Sequence, residues 1–326
     1  MTHEREITEP VDLCRADGRL DPAAVGWTRR PLHRANLRGW GRTKRWEYWG
    51  ITTPTHVVGV VVSSLDYAGV SGIYLLERAT GREWTRDAVV PLARGVRLPE
   101  RCGTGTTATD RGGVRIRIDA DPGGSTIRAT AEGIEITLSV PLPPGHEAMG
   151  VVVPWSERRF QLTVKDVARP VHGTIRVDGT AYDVDERESW AVLDHGRGRW
   201  PYRTTWNWAA GSGPDLGLQL GGRWTVGTGA TENALVVNGR VHKIGEELEW
   251  SYDRSDFLRP WRIRGPRVDV EFEPFHERVA RTELLVVGSR THQCFGHFSG
   301  WATTDEGERI DVDGLVGWAE EARQRW

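Results

Sequence analysis

Cysteine is nearly absent from this 326-residue chain. Cys14, Cys102 and Cys294 are odd in number, far apart and outside any C-x-x-C pattern, which excludes a disulfide scaffold and a zinc ribbon. Long apolar runs are missing too. The longest, Val57 to Val62 with Gly59 inside it, is far short of the roughly 18 residues a membrane helix needs. Met1 to Pro10 is polar and acidic, without the apolar stretch of a secretory leader. The expectation is a soluble, cytoplasmic protein with no membrane span. Nor is there a surplus of positive charge. The 43 Lys and Arg face 45 Asp and Glu, a net charge of −2, so no global field favours nucleic acid or an anionic membrane. Gly103-Thr104-Gly105-Thr106-Thr107 has no following Lys and is no P-loop, and Gly-x-Ser-x-Gly does not occur. No period of 20–50 residues repeats, which argues against propellers and solenoids.

What is present is alternation with period two. Val114 to Ala120, Ile134 to Val140, Thr174 to Asp178, Val268 to Glu273 and Arg309 to Val312 each alternate apolar and polar residues. Each predicts a strand with one dry face and one wet face. Asp178-Gly179 and Asn238-Gly239 supply the residues that tight hairpin turns require, since both central positions need positive φ. Many antiparallel strands at short spacing mean a sandwich or barrel. The change at Ala168-Arg169-Pro170 places a division near residue 168, giving halves of the size of one ligand-holding barrel. Helix is scarce. Leu315, Trp318, Ala319 and Ala322, spaced by three and four after Asp313-Gly314, predict a short C-terminal helix.

Tryptophan is the compositional anomaly, with 16 against 6 Tyr and 6 Phe. It concentrates in the segment from Asp194 to Trp208, which holds a carboxylate, a histidine, three arginines, three tryptophans and Tyr202. Its Gly-Arg-Gly-Arg start reads as flexible. Its end reads as a strand that puts Trp206 and Trp208 on one face. Two indoles side by side form a flat apolar wall with N–H donors at its edge, on which arginines can stack as a clamp. The plain alternative is that the tryptophans are core and the arginines are surface partners for acids.

Glu232 follows the Gly-rich stretch Gly227-Thr228-Gly229-Ala230. It is expected either as a general acid whose pKa is raised by an apolar cavity, or as a partner of Arg197. His292-x-Cys294-x-x-His297 has metal-binding residue types. A regular strand puts His297 on the other face and no fourth ligand has the usual spacing, so no metal site is expected. The basic cluster Arg29, Arg30, Arg34, Arg38, Arg42, Lys44 and Arg45, interleaved with Trp27, Trp40 and Trp46, has the make-up of a single-strand nucleic-acid platform. The near-zero net charge argues against that use, and no nucleic-acid partner is expected.

The Asp194-His195-Gly196-Arg197-Gly198 to Thr205-Trp206-Asn207-Trp208-Ala209 segment resembles the signature of a bacterial family known as domain of unknown function 2804. Lys44-Arg45-Trp46-Glu47-Tyr48-Trp49, Thr231-Glu232-Asn233-Ala234, Phe295-Gly296-His297-Phe298-Ser299-Gly300 and Gly314 to Glu321 agree with it, so that the resemblance spans about residue 10 to 326. The chain departs from it at Gln219-Leu220-Gly221, where Asn-Leu before the Gly is expected. The family is distantly similar to tandem lipocalin-like proteins such as the carotenoid hydratase hydroxyneurosporene synthase. The resemblance therefore implies an all-β, calycin-type fold of two antiparallel barrels. Residues 1–167 and 168–326 would be the two halves, the second carrying the terminal helix.

The resulting expectation is a cavity for a lipophilic small molecule such as a lipid, terpenoid or polyketide. Trp206, Trp208, Trp46, Tyr48, Trp224 and Tyr202 would line it, with Arg197, Asp194 and Glu232 as its polar end. The alternative is a cofactor-free hydratase, isomerase or cyclase, with Asp194, then Glu232, then His297 as the acid.

Overall fold

The computed structural model describes residues 3–283 and 288–325. The fold is all-β, and the one helical element among the described residues is a single 3-10 turn, Pro22–Ala24. Three curled antiparallel sheets account for most of it, beside a two-stranded parallel pair of Val11–Asp12 with His33–Arg34. An eight-stranded sheet runs through residues 27–199, a six-stranded sheet through 105–184, and a ten-stranded sheet through 203–325. No helix among the described residues is long and apolar enough to cross a membrane.

The eight-stranded sheet is the middle layer. Along Lys44–Thr52 and Trp190–Arg199, which pair antiparallel, odd-numbered Trp49, Ile51, Ala191 and Leu193 enter the core shared with the six-stranded sheet. Even-numbered Val192 and the neighbouring Tyr48 belong to a second cluster, shared with the ten-stranded sheet. Burial on both faces explains the near-continuous apolar run Val57 to Val62 in the adjoining His56–Ser64 strand. A third cluster, with Leu218, Leu220, Trp261, Phe272 and Phe298, lies in the curl of the ten-stranded sheet.

The chain passes from the first two sheets to the third between Arg199 and Arg203. Ala168 lies inside the Arg159–Pro170 strand at φ +58°, within a bulge between Asp166 and Arg169. The C-terminal segment is a strand and not the helix its spacing suggests. Val316–Arg325 pairs with Arg203–Gly213 on one side and Gly288–Thr303 on the other. A central strand with both faces covered shows no alternation of apolar and polar residues, so its small and apolar residues fell by chance at helical spacing.

Candidate active site: an indole-walled chamber

Between the eight- and ten-stranded sheets lies a chamber of about 220 Å³. Five tryptophans wall it: Trp46, Trp200, Trp206, Trp208 and Trp224. Val61, Ser63 and Leu65 form its partly exposed side, while Lys165, Asp194, Glu232 and Glu320 are buried at its floor. The chamber is thus apolar toward solvent and polar inside.

Every wall indole is fixed by its N–H. Trp46 donates to Asp194 at 2.9 Å, Trp206 to Glu320 at 2.9 Å and Trp224 to Glu232 at 2.5 Å. Trp200 donates to Gln161 at 2.7 Å and Trp208 to Gln219 at 2.8 Å. This accounts for Trp at these five positions. Indole joins the broadest apolar face to a donor-only N–H on the ring edge, so each ring satisfies a buried acceptor while turning carbon toward the chamber. It also gives Gln219, the point of departure from the expected family pattern, a defined task as acceptor for Trp208.

The glycines of the Asp194 segment give room, not flexibility. Asp194, Gly196 and Gly198 share the chamber face of one regular strand. A Cβ on Gly196 would stand 2.1 Å from the Trp46 ring, and one on Gly221 would stand 2.1 Å from Glu232 Cγ. Gly196→Ala is therefore expected to expel the Trp46 indole and break its bond to Asp194. Overpacking of this kind costs about 1–3 kcal/mol. The checks are a lower melting temperature and a changed near-ultraviolet circular dichroism spectrum.

The floor holds one ammonium and three carboxyls. Lys165 Nζ lies 3.2 Å from Asp194 Oδ1 and 3.4 Å from Glu232 Oε2, and 4.0 Å from the centre of the Trp208 ring. Asp194 also accepts from Thr163 at 3.1 Å. Burial alone would lower the pKa of Lys165, but the Asp194 and Glu232 carboxylates reverse this and raise it. Burial raises Glu232 as well, against the pull of Lys165. Glu320 accepts from Gln293 at 3.2 Å in addition to Trp206, and burial pushes its carboxyl up to about 7.

The structure thus brings Asp194, Glu232, Trp46, Trp206, Trp208 and Trp224 together. Tyr48 packs edge-on against Trp208 and Trp318, behind the wall. Arg197 points to the opposite face of its strand. Its guanidinium donates to the carbonyls of Trp46, Gly196 and Pro99, and burial lowers its pKa to about 10. Tyr202 is 43% exposed and outside the lining. His297 is exposed, with its ring beside Phe275. His292 stacks on Phe257, and Cys294 Sγ donates to the Phe257 carbonyl. Among the described residues no group of three His, Cys, Asp or Glu is placed to hold a metal ion. Three arginines of the N-terminal basic cluster face acids: Arg29 with Glu6 and Glu147, Arg34 with Asp12, and Arg45 with Asp66.

Lys165 and Glu320 are the floor residues that sequence reasoning missed. Lys165 belongs to no motif. Glu320 sat in the segment read as helix, where it would have faced solvent. The period-two pairing of Trp318 with Glu320 was the signal that could have placed it.

The family model described as Domain of unknown function (DUF2804) matches residues 4–326, and the chain belongs to that family. Among solved structures it is similar to kievitone hydratase from Nectria haematococca. The TM-score is 0.58 at 11% identity, covering 88% of this chain and 89% of that one. It is also similar to an AttH-type protein from Nitrosomonas europaea, with a TM-score of 0.53 at 13% identity, covering 86% and 92%. At these identities what is shared is the fold. No curated protein matches the chain.

Proposed function

We propose that this member of the DUF2804 family binds a small apolar or amphipathic molecule, of lipid, terpenoid or polyketide type, in the indole-walled chamber. We propose further that it acts on that molecule by acid–base chemistry without a cofactor. The carrying observation is the convergence of Asp194, Glu232, Glu320 and Lys165 on one enclosed floor, with none of the three carboxyls in an arginine ion pair among the described residues. A carrier for a greasy ligand gains nothing from buried ionisable groups, which are costly to desolvate. The organisation as two lipocalin-like barrels in tandem, with the chamber where they meet, is part of the same proposal. The fold shared with kievitone hydratase is compatible with it.

An apolar cavity of about 150 Å³ accepts benzene, so this chamber suits a single ring with a short substituent, or the end of a longer chain that leaves past Leu65. Glu320, titrating near neutrality, is the proton donor. A proton passed from it to a ligand double bond leaves positive charge beside the Trp206 and Trp208 faces, which stabilise a cation. In a hydration, water then bonds to that carbon and returns one proton to the carboxyl set, so the site ends as it began. Isomerisation or cyclisation would end instead with loss of a proton from the ligand.

Native mass spectrometry of freshly purified protein tests the reading. A bound small lipophile is expected, and Gly196→Leu, which fills the chamber, is expected to lose it. Glu320→Gln should keep the ligand and lose turnover. A protein that carries no such mass and binds no apolar fluorescent dye in the chamber overturns the proposal.

A further inference from the structure

The face of the ten-stranded sheet turned away from the chamber carries a second polar concentration, unrelated to the acid–base reading. Side chains alternate along Val316–Arg325, so Glu320 enters the chamber while Glu321, Arg323 and Arg325 take the other face. Glu321 has a side chain only 3% exposed and three guanidinium groups against it. Arg254 Nη2 and Arg323 Nη2 are each at 2.8 Å, and Arg223 Nη1 is at 3.4 Å. The Tyr252 hydroxyl donates to the same carboxylate. One guanidinium would neutralise Glu321; three are held by it.

Arg290 is positioned in a similar way. Its Nε donates to His292 Nε2 at 2.8 Å, while His292 Nδ1 lies 2.5 Å from Glu277 Oε1. A ring nitrogen that accepts must be unprotonated, so Nδ1 carries the hydrogen and donates to Glu277. Arg254, Arg290 and Arg323 are thus all pinned at their Nε edges, and N–H groups on their outer ends remain for another acceptor. Two depressions join here through their shared residues Arg290 and Arg323: a small one of about 60 Å³ over Glu321 and an open one of about 470 Å³ that reaches Arg203 and Arg325. Ser289 lines the larger one. Its Oγ accepts from Gln324, its register partner on the neighbouring strand.

We infer that this arginine collar is a binding site for a soluble ligand bearing a phosphate or pyrophosphate group. Guanidinium groups reach the collar from three adjacent strands and a loop, so they surround a guest from several sides. A carboxylate has two oxygens and is satisfied by one forked guanidinium. A phosphate group offers three or more oxygens and a charge near −2, which matches several forks at once. The buried Glu321 and His292 hold the guanidinium groups in place before the ligand arrives, which reduces the ordering cost of binding. The local charge is set by residue placement and not by the chain as a whole, whose net charge is −2.

Isothermal titration of the full chain with sodium pyrophosphate at low ionic strength tests this. Binding with a Kd below about 1 mM is expected, weakening with added salt. Arg290→Gln and Arg323→Gln should each weaken it about tenfold, the loss of one charge-assisted contact. Arg323→Lys, which keeps the charge and loses the fork, should recover only part. Arg117→Gln is the control, being an exposed residue paired with Asp119 on the six-stranded sheet, and should bind as wild type. Both test arginines are largely exposed, so the fold should survive, and matched melting temperatures confirm it. The inference is overturned if pyrophosphate does not bind, or if all variants bind it equally. It is also overturned if the protein binds phosphatidylglycerol vesicles but no free pyrophosphate, which would make the collar a lipid contact.

Discussion

Lys165→Met is expected to destabilise the fold by about 3–5 kcal/mol at pH 8, the usual cost of removing one partner from a buried ion pair. Its ammonium lies within 3.4 Å of both Asp194 and Glu232, and no arginine among the described residues forms an ion pair with either acid. The methionine fills much of the same volume against Trp208, so lost packing contributes little. What remains is two carboxyls facing each other in a dry floor. Burial already raises the Glu232 carboxyl against the pull of Lys165, and without that pull it should rise further. A carboxyl raised on folding contributes stability that is present below its unfolded pKa and is lost as pH rises through its folded pKa. The deficit of Lys165→Met should therefore shrink as the pH is lowered from 8 toward about 5, as the stranded Glu232 takes up a proton. Urea unfolding followed by circular dichroism at the two pH values measures this. Lys165→Met combined with Asp194→Asn should regain part of the loss, giving a coupling energy between the two sites. A deficit that is the same at both pH values would falsify the role of Lys165 as counter-ion and leave only a packing effect.

The all-β character was legible because half-buried strands alternate. Ile116 and Ile118 point inward while Arg115 and Arg117 point out, and the eye needs nothing more. The central strands are harder to read, for they are covered on both faces. Trp190–Arg199 carries two different environments on its alternate residues. Asp194 joins the chamber, while His195 and Arg197 enter the core of the other layer. There burial lowers the His195 pKa to about 4, with the Arg197 charge adding to the effect. In the sequence these neighbours look like one cluster, so Arg197 is expected at the polar end of the cavity beside Asp194 and Glu232, and of the three only the two acids line it. Period two separates them. The ammonium that does pair with the chamber acids comes from Lys165, across the sheet in the Arg159–Pro170 strand, and only the register could reveal it. Glu232 was legible as a candidate from its place after the Gly-rich stretch Gly227 to Ala230, and both it and Trp224 line the chamber.

At pH 8 Glu320→Gln is expected to be more stable than the wild type, with the difference fading toward pH 4.5. The carboxyl has an ordinary pKa of 4.5 and burial pushes it up to about 7. The folded state therefore holds a proton that the unfolded state has released, between those two values. By linkage, wild-type stability falls as pH rises through this window, by about 1.4 kcal/mol for each unit of pKa difference, on the order of 3 kcal/mol in all. Glutamine mimics the protonated acid and never incurs that loss. Its Oε1 can keep the Trp206 bond, and Gln293 can turn its amide to present oxygen to the new NH₂, exchanging its contacts with Arg278, at 3.5 Å, and with Tyr48. Denaturant midpoints across the window, wild type against variant, read the effect directly. The same group then dictates catalysis. If Glu320 is the donor, turnover of any ligand should fall as pH rises through about 7, because only the protonated fraction reacts. Glu320→Gln should abolish turnover at every pH while ligand affinity stays near the wild-type value. A variant that is less stable at pH 8, with no change in the pH slope, would mean that Glu320 is ionised and structural. The proton donor would then have to be Glu232, the other floor acid that burial raises. Stability and turnover are thus tied to one proton, because the desolvation that makes Glu320 useful as an acid is the same desolvation that makes its ionised form a liability to the fold.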